Sequence, residues 1–146
     1  MRVYLACTVR GDRGGLREAR RIAKRLGEFG HEVLTAHLLL DDVEQAEGQL
    51  SEQQIYLRDM EWLDGCEAVV AEASGSTFGV GFEVGYVLGR SSRTGQRVFL
   101  LFDVTRLSSI SRLIPGNAHP RCITFGYRSL EELDRFLREH FAPAVR

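Results

Sequence analysis

The sequence predicts an α/β fold: a flavodoxin-like or Rossmann-like doubly wound sheet of about five parallel strands in three αβα layers. Three observations carry that prediction. Apolar runs of strand length alternate with stretches of helical period. Capping boxes mark where two of the helices begin. The residues just after the predicted strands are polar and rich in glycine, as they are where an open α/β sheet receives its ligand. The 146 residues, 44% of them hydrophobic, fit one domain over 1–146. A chain of that length buries roughly 70% of its unfolded surface, without a disulfide or metal staple.

The elements follow in order. Segments 2–7, 32–36, 67–73, 97–103 and 121–125 read as strands, and 15–29, 51–64, 80–90 and 129–141 as helices. Ser51 with Gln54 and Ser129 with Glu132 have capping-box spacing, in which the hydroxyl accepts a backbone amide and the longer side chain reaches back. Segment 38–50 has neither period and follows a strand, so it is expected to be a long mobile loop over the strand's carboxyl end.

The bulk chemistry narrows the function. With 19 basic against 20 acidic residues and a net charge of −1, no whole-molecule field would hold a nucleic-acid polymer. A small anion needs only a local cluster. Cys7, Cys66 and Cys122 are scattered, without metal-ligand spacing, and read as small buried hydrophobes in a reducing compartment. The chain opens directly into an apolar strand and has no run long enough to span a bilayer, so a cytoplasmic protein without a membrane partner is expected.

Chemistry collects after the strands. Thr8-Val9-Arg10-Gly11-Asp12-Arg13-Gly14-Gly15 offers a hydroxyl, two guanidinium groups and flexible backbone ahead of a helix, which suits a phosphate and equally suits a solvated turn. Thr35-Ala36-His37 puts an imidazole at the rim, where a surface histidine is the commoner outcome. Asp59 has Ile55, Tyr56, Trp62 and Leu63 three and four residues away, which sets a carboxylate on an apolar helix face. A pair with Arg58 is the bland reading, disfavoured because adjacent helical residues point apart. The run from Ser74 to Gly85 is rich in glycine and hydroxyls and opens a helix whose free amides would receive an anion. Glu83 there could be an ordinary first-turn carboxylate favoured by the helix dipole. The small residues around it favour a ligand instead. Two carboxylates beside an anion cradle suit glycosyl chemistry, one as nucleophile and one handling protons or positioning the sugar.

These residues resemble the 2'-deoxynucleoside 5'-phosphate N-hydrolase family, a branch of the nucleoside 2-deoxyribosyltransferase superfamily. The matching pieces are Tyr4, Thr8-Val9-Arg10-Gly11, Thr35-Ala36-His37, Arg58 to Leu63, Val69 to Glu72 and Gly79 to Gly85, in order across about residues 2–127. The resemblance implies a flavodoxin-like homodimer that needs no cofactor or metal and cleaves the N-glycosidic bond of a nucleoside 5'-monophosphate. It implies Glu83 as the nucleophile at C1' and Asp59 as a sugar-contacting acid/base. It places Thr8, Arg10, Thr77 and the Gly79 amide around the 5'-phosphate and His37 near the base or sugar, with Tyr4 and Gly11 also among the substrate-binding residues. Ser108 or Ser109 would reach the phosphate of a neighbouring subunit. Family members carry Gly-Ser where this chain has Cys7-Thr8 and Ser where it has Thr77, which keeps the hydroxyls and adds methyls. A deoxyribosyltransferase using the same glutamate, or a non-catalytic nucleotide sensor, are the alternatives.

Overall fold

The computed structural model describes residues 1–75 and 77–144, so Ser76 of the glycine-rich run lies outside the described residues. Five strands, β1 (Arg2–Ala6), β2 (Glu32–Val33), β3 (Ala68–Glu72), β4 (Arg97–Asp103) and β5 (Cys122–Tyr127), form one sheet in the order β2-β1-β3-β4-β5. Every pairing is parallel. The helices are α1 (Leu16–Glu28), the short α2 (Val43–Glu47), α3 (Glu52–Gly65), α4 (Phe78–Thr94) and α5 (Leu130–Phe141). The predicted doubly wound α/β fold is the observed one.

Strand alternation sorts the core into two layers. Val3 and Leu5 of β1, Val70 of β3 and Phe99 of β4 pack with Ile22 and Leu26 of α1 and Leu133 and Leu137 of α5. Their sequence neighbours Tyr4, Ala6, Val69, Ala71 and Leu100 face Leu63 of α3 and Val80, Val84 and Val87 of α4. The chain thus leaves β1 toward α1 on one face and leaves β3 toward α4 on the other. The crevice between those departures is the switch point where such sheets bind ligands.

Several boundaries differ from the sequence reading, the largest differences falling at the second strand, at segment 38–50 and at α4. The second strand stops at Val33 because the buried Thr35 hydroxyl takes over its pairing, donating to Leu5 O at 2.6 Å and accepting from Leu5 N at 3.1 Å. The chain then turns into a 3-10 segment, Ala36–Leu39. Segment 38–50 is therefore not a plain loop: α2 follows, and Val43 and Glu47, one turn apart, are both buried. Helix α4 starts at Phe78, two residues before the predicted start, with Thr77 as its N-cap, and runs to Thr94, where Gly95 caps it in the left-handed region with φ 77°. The Ser51–Gln54 capping box is complete. At Ser129 the hydroxyl accepts from Glu132 N at 3.2 Å, but the Glu132 carboxylate reaches Arg128 N at 2.8 Å instead of Ser129. Among the described residues no helix is long and apolar enough to cross a membrane.

Candidate active site

At the switch point the central feature is a partly buried hydroxyl–carboxylate contact. Tyr4 points from β1 toward α4 and is fully buried. Its hydroxyl donates to Glu83 Oε1 at 2.6 Å. Glu83 is the sixth residue of α4, on the face carrying Val80, Val84 and Val87. The early helix start puts it in the second turn, where an N-terminal capping role does not apply. Burial pushes its carboxyl up to about 7, with the Tyr4 hydrogen bond opposing and the Asp59 charge adding to the rise. Burial likewise pushes the Tyr4 phenol upward, reinforced by Glu83, so Tyr4 stays a donor.

Asp59 comes from α3, half-buried, on the face the period predicts. The pairing that adjacency disfavoured is nevertheless present. Arg58 folds back to donate from Nε to Asp59 Oδ1 at 2.9 Å, because its long side chain crosses the helix surface and lays its guanidinium 4.7 Å from the Trp62 ring centroid. The same guanidinium bridges to Glu47, with Nη1 to Oε1 at 2.8 Å and Nη2 to Oε2 at 3.2 Å. His37 Nε2 lies 2.9 Å from Glu47 Oε1, and its ring meets Trp62 edge-on at 5.5 Å. Burial raises Asp59 above the usual aspartate range, with Arg58 opposing. Burial also works to raise Glu47, but its bonds to Arg58 and His37 outweigh that and hold its carboxyl below the usual range.

Glu83 and Asp59 face a cavity of about 580 Å³, ample for a nucleotide-sized ligand. Arg10, Thr77, Gly79, Glu47 and Arg58 supply polar walls. Val9, Leu38, Leu50, Ile55 and Tyr56 supply an apolar slot. Thr8 sits behind it, 7% exposed, and among the described residues its Oγ1 has no hydrogen-bond partner. A β-carbon at Gly75 would collide with that hydroxyl, so loop 8–15 and the turn after β3 meet at van der Waals contact only because position 75 is glycine.

Of the other expected site residues, Thr77 lines the cavity and the rest lie outside its wall. Arg13, the second guanidinium of the loop, turns away and donates from Nη2 to Leu38 O at 3.0 Å, holding the 3-10 segment. Gly11 is exposed, with φ 95°, and shapes the loop without lining the cavity. His37 reaches the site through Glu47 and does not line the cavity. Thr77 lines the cavity while its hydroxyl also caps Val80 N at 3.5 Å. Ser108 and Ser109 are exposed in a 3-10 segment, Val104–Ser109, outside the cavity, where Ser109 Oγ donates to Arg106 O at 2.9 Å. Glu47 escaped the sequence reading because α2 is too short to show a period. Its one signal is the i, i+4 spacing from Val43.

Comparison with known proteins places the chain among its relatives. The family profile described as nucleoside 2-deoxyribosyltransferase matches residues 3–117. A Thermofilum pendens protein, provisionally named a 2'-deoxynucleoside 5'-phosphate N-hydrolase, is 36% identical over 132 residues, covering 90% of this chain and 89% of its own length. The 5-hydroxymethyl-dUMP N-hydrolase of Danio rerio is 30% identical over 143 residues, covering 97% of this chain and 96% of its own. The CMP N-glycosidase structure of Clostridium botulinum shares the fold, with a TM-score of 0.65 at 20% identity over 96% of this chain and 100% of that one. The chain belongs to the nucleoside 2-deoxyribosyltransferase family.

Proposed function

We propose that this protein is a hydrolase of N-glycosyl bonds that releases the base from a nucleoside 5'-monophosphate through a covalent intermediate on Glu83. The observation that carries the reading is the contact of Tyr4 with Glu83 beside Asp59 at the wall of the switch-point cavity. A carboxylate held by one phenol keeps lone pairs free for a carbon electrophile. Glu83 attacks C1', the C1'–N bond breaks, and the base departs with the bonding electrons and takes a proton. Water then attacks C1', the Glu83–C1' bond breaks, and the sugar 5-phosphate leaves. Asp59, raised by burial, is suited to contact the sugar hydroxyls and exchange the proton. Names of relatives favour a 2'-deoxyribose.

The phosphate would sit between loop 8–15 and the start of α4. Arg10 supplies charge, the unpartnered Thr8 hydroxyl a donor, and the amides at Gly79 the helix end. The base would fill the slot of Val9, Leu38, Leu50, Ile55 and Tyr56.

A homodimer through the outer face of α4 completes the proposal. Phe78 is 99% and Phe82 54% exposed, with Leu113 81% exposed nearby. Gly81, Gly85 and Gly89 recur every fourth residue with open space where a β-carbon would be. Beside them lies an apolar groove of about 740 Å³ that shares Thr77 and Val80 with the cavity, so a partner there borders the phosphate end. That placement would let a partner's Ser108 or Ser109 reach the phosphate. Incubating the purified protein with a panel of nucleoside 5'-monophosphates and assaying free base tests the activity. Base released into water supports hydrolysis; base release only when a second base is supplied would favour the transferase; binding without release would favour a sensor.

A further inference from the structure

Glu72 is a buried carboxyl that the proposed chemistry does not use. It ends β3 at 2% exposure. Its Oε1 accepts from Tyr127 Oη of β5 at 2.6 Å and from the Ser74 hydroxyl, and its Oε2 accepts from Ser74 N at 3.2 Å. Ser74 Oγ in turn accepts from Asp103 N at 2.8 Å. On its far side Oε2 abuts Gly15, the N-cap of α1, where a β-carbon would collide with the carboxylate.

One carboxylate therefore touches both walls of the proposed phosphate cradle and anchors them to the ends of β4 and β5. Ser74, which by sequence belonged with the anion-binding hydroxyls, is committed inward to Glu72 and Asp103. The unpartnered hydroxyl is that of Thr8, buried behind the cavity and packed against the next residue of the same turn, Gly75. A cradle of backbone amides and one hydroxyl binds only if its walls keep their spacing, since a displacement on the order of 1 Å misaligns the donors.

We propose that Glu72 is the positioning residue of the phosphate cradle: through Ser74, Tyr127 and Gly15 it sets the distance between loop 8–15 and the β3–α4 turn, and so sets affinity for the 5'-phosphate without touching it. This rests on the phosphate reading above.

The test is calorimetric binding of 2-deoxyribose 5-phosphate to the wild-type protein, Glu72→Ala, Glu72→Gln and Tyr127→Phe, beside steady-state kinetics on a nucleoside monophosphate and its unphosphorylated nucleoside. Glu72→Ala is expected to bind the sugar phosphate about tenfold more weakly, with KM for the monophosphate rising far more than kcat falls, and turnover of the nucleoside held. Glu72→Gln, whose carbonyl still accepts from Tyr127 and Ser74, is expected to recover to within about threefold of wild type. Should Glu72→Ala not fold, Tyr127→Phe keeps the ring packing, removes one donor and is expected to weaken binding severalfold. A wild type that does not bind 2-deoxyribose 5-phosphate overturns the phosphate reading itself. A wild type that binds, with folded Glu72→Ala or Tyr127→Phe binding equally well, overturns the role of Glu72 alone. So does an equal loss for nucleoside and monophosphate, which would mark the cluster as merely structural.

Discussion

The Tyr4 hydroxyl donates to Glu83 Oε1 across 2.6 Å, linking the middle of the sheet to the second turn of α4. This bond aims one carboxylate oxygen and opposes the rise in pKa that burial imposes. Tyr4→Phe removes it while keeping the ring. Base release at neutral pH is expected to fall about tenfold or more, because a hydrogen bond to a charged group is worth about 1.5–3 kcal/mol. The rising limb of the pH–rate profile should move to higher pH. An unshifted limb would mean that Tyr4 acts through packing.

The buried carboxyl of Glu83 also makes a stability prediction. Its folded value is about 7 against the usual 4.5. A carboxyl raised in the folded state favours folding in its protonated form, so that contribution is fully present below about 4.5 and is lost as pH rises through about 7. Glu83→Gln cannot ionise and escapes the loss. Relative to wild type it should gain on the order of 2 kcal/mol between pH 5 and pH 8. Thermal unfolding of both proteins across that range is the check, and parallel curves would show that Glu83 is not desolvated in the folded protein.

Glu47 and Arg58 couple α2 to Asp59, so breaking their pair should disturb both fold and site. Glu47→Ala strands a partly buried guanidinium and is expected to cost about 1–3 kcal/mol of stability. The freed Arg58 then interacts with Asp59 alone and should draw its raised carboxyl downward. Chemical-shift titration of Asp59 in the variant measures this directly, and an unchanged titration would separate Glu47 from the site.

Phosphate recognition is expected to show in substrate preference. Arg10→Ala should raise KM for a nucleoside monophosphate by about tenfold or more, at a cost of roughly 1.5–3 kcal/mol, and leave the nucleoside unaffected. Equal effects on both substrates would remove Arg10 from the cradle.

Assembly is tested at α4. Gly85→Arg places a long charged side chain on the open glycine face, so the proposed dimer should dissociate in sedimentation while the isolated fold survives. A wild type that sediments as a monomer with full activity would contradict the interface.

Much of this was legible in the sequence, and what was not has identifiable causes. Long amphipathic helices and apolar strands announced the sheet, because the periods of burial are written over many residues. Glu83 and Asp59 stood out as carboxylates among apolar or small neighbours. Thr35 was misread as strand because a side chain that substitutes for backbone pairing leaves no periodic trace. Arg58 was set aside because helical geometry describes where Cβ points, whereas the reach of a guanidinium depends on the Trp62 ring it lies over. Glu47 and the Glu72–Tyr127 pair are contacts between segments 11 and 55 residues apart, which only the fold reveals.

The claim on which the rest depends is that Glu83 bonds to C1'. The most direct measurement is intact mass after rapid quenching of protein with a nucleoside 5'-monophosphate, with peptide mapping, compared between wild type and Glu83→Gln. The account predicts an adduct of one sugar phosphate on Glu83 in the wild type, and in Glu83→Gln retained nucleotide binding with no adduct and no base released. Base release by Glu83→Gln near the wild-type rate would contradict it and leave Glu83 a structural partner of Tyr4.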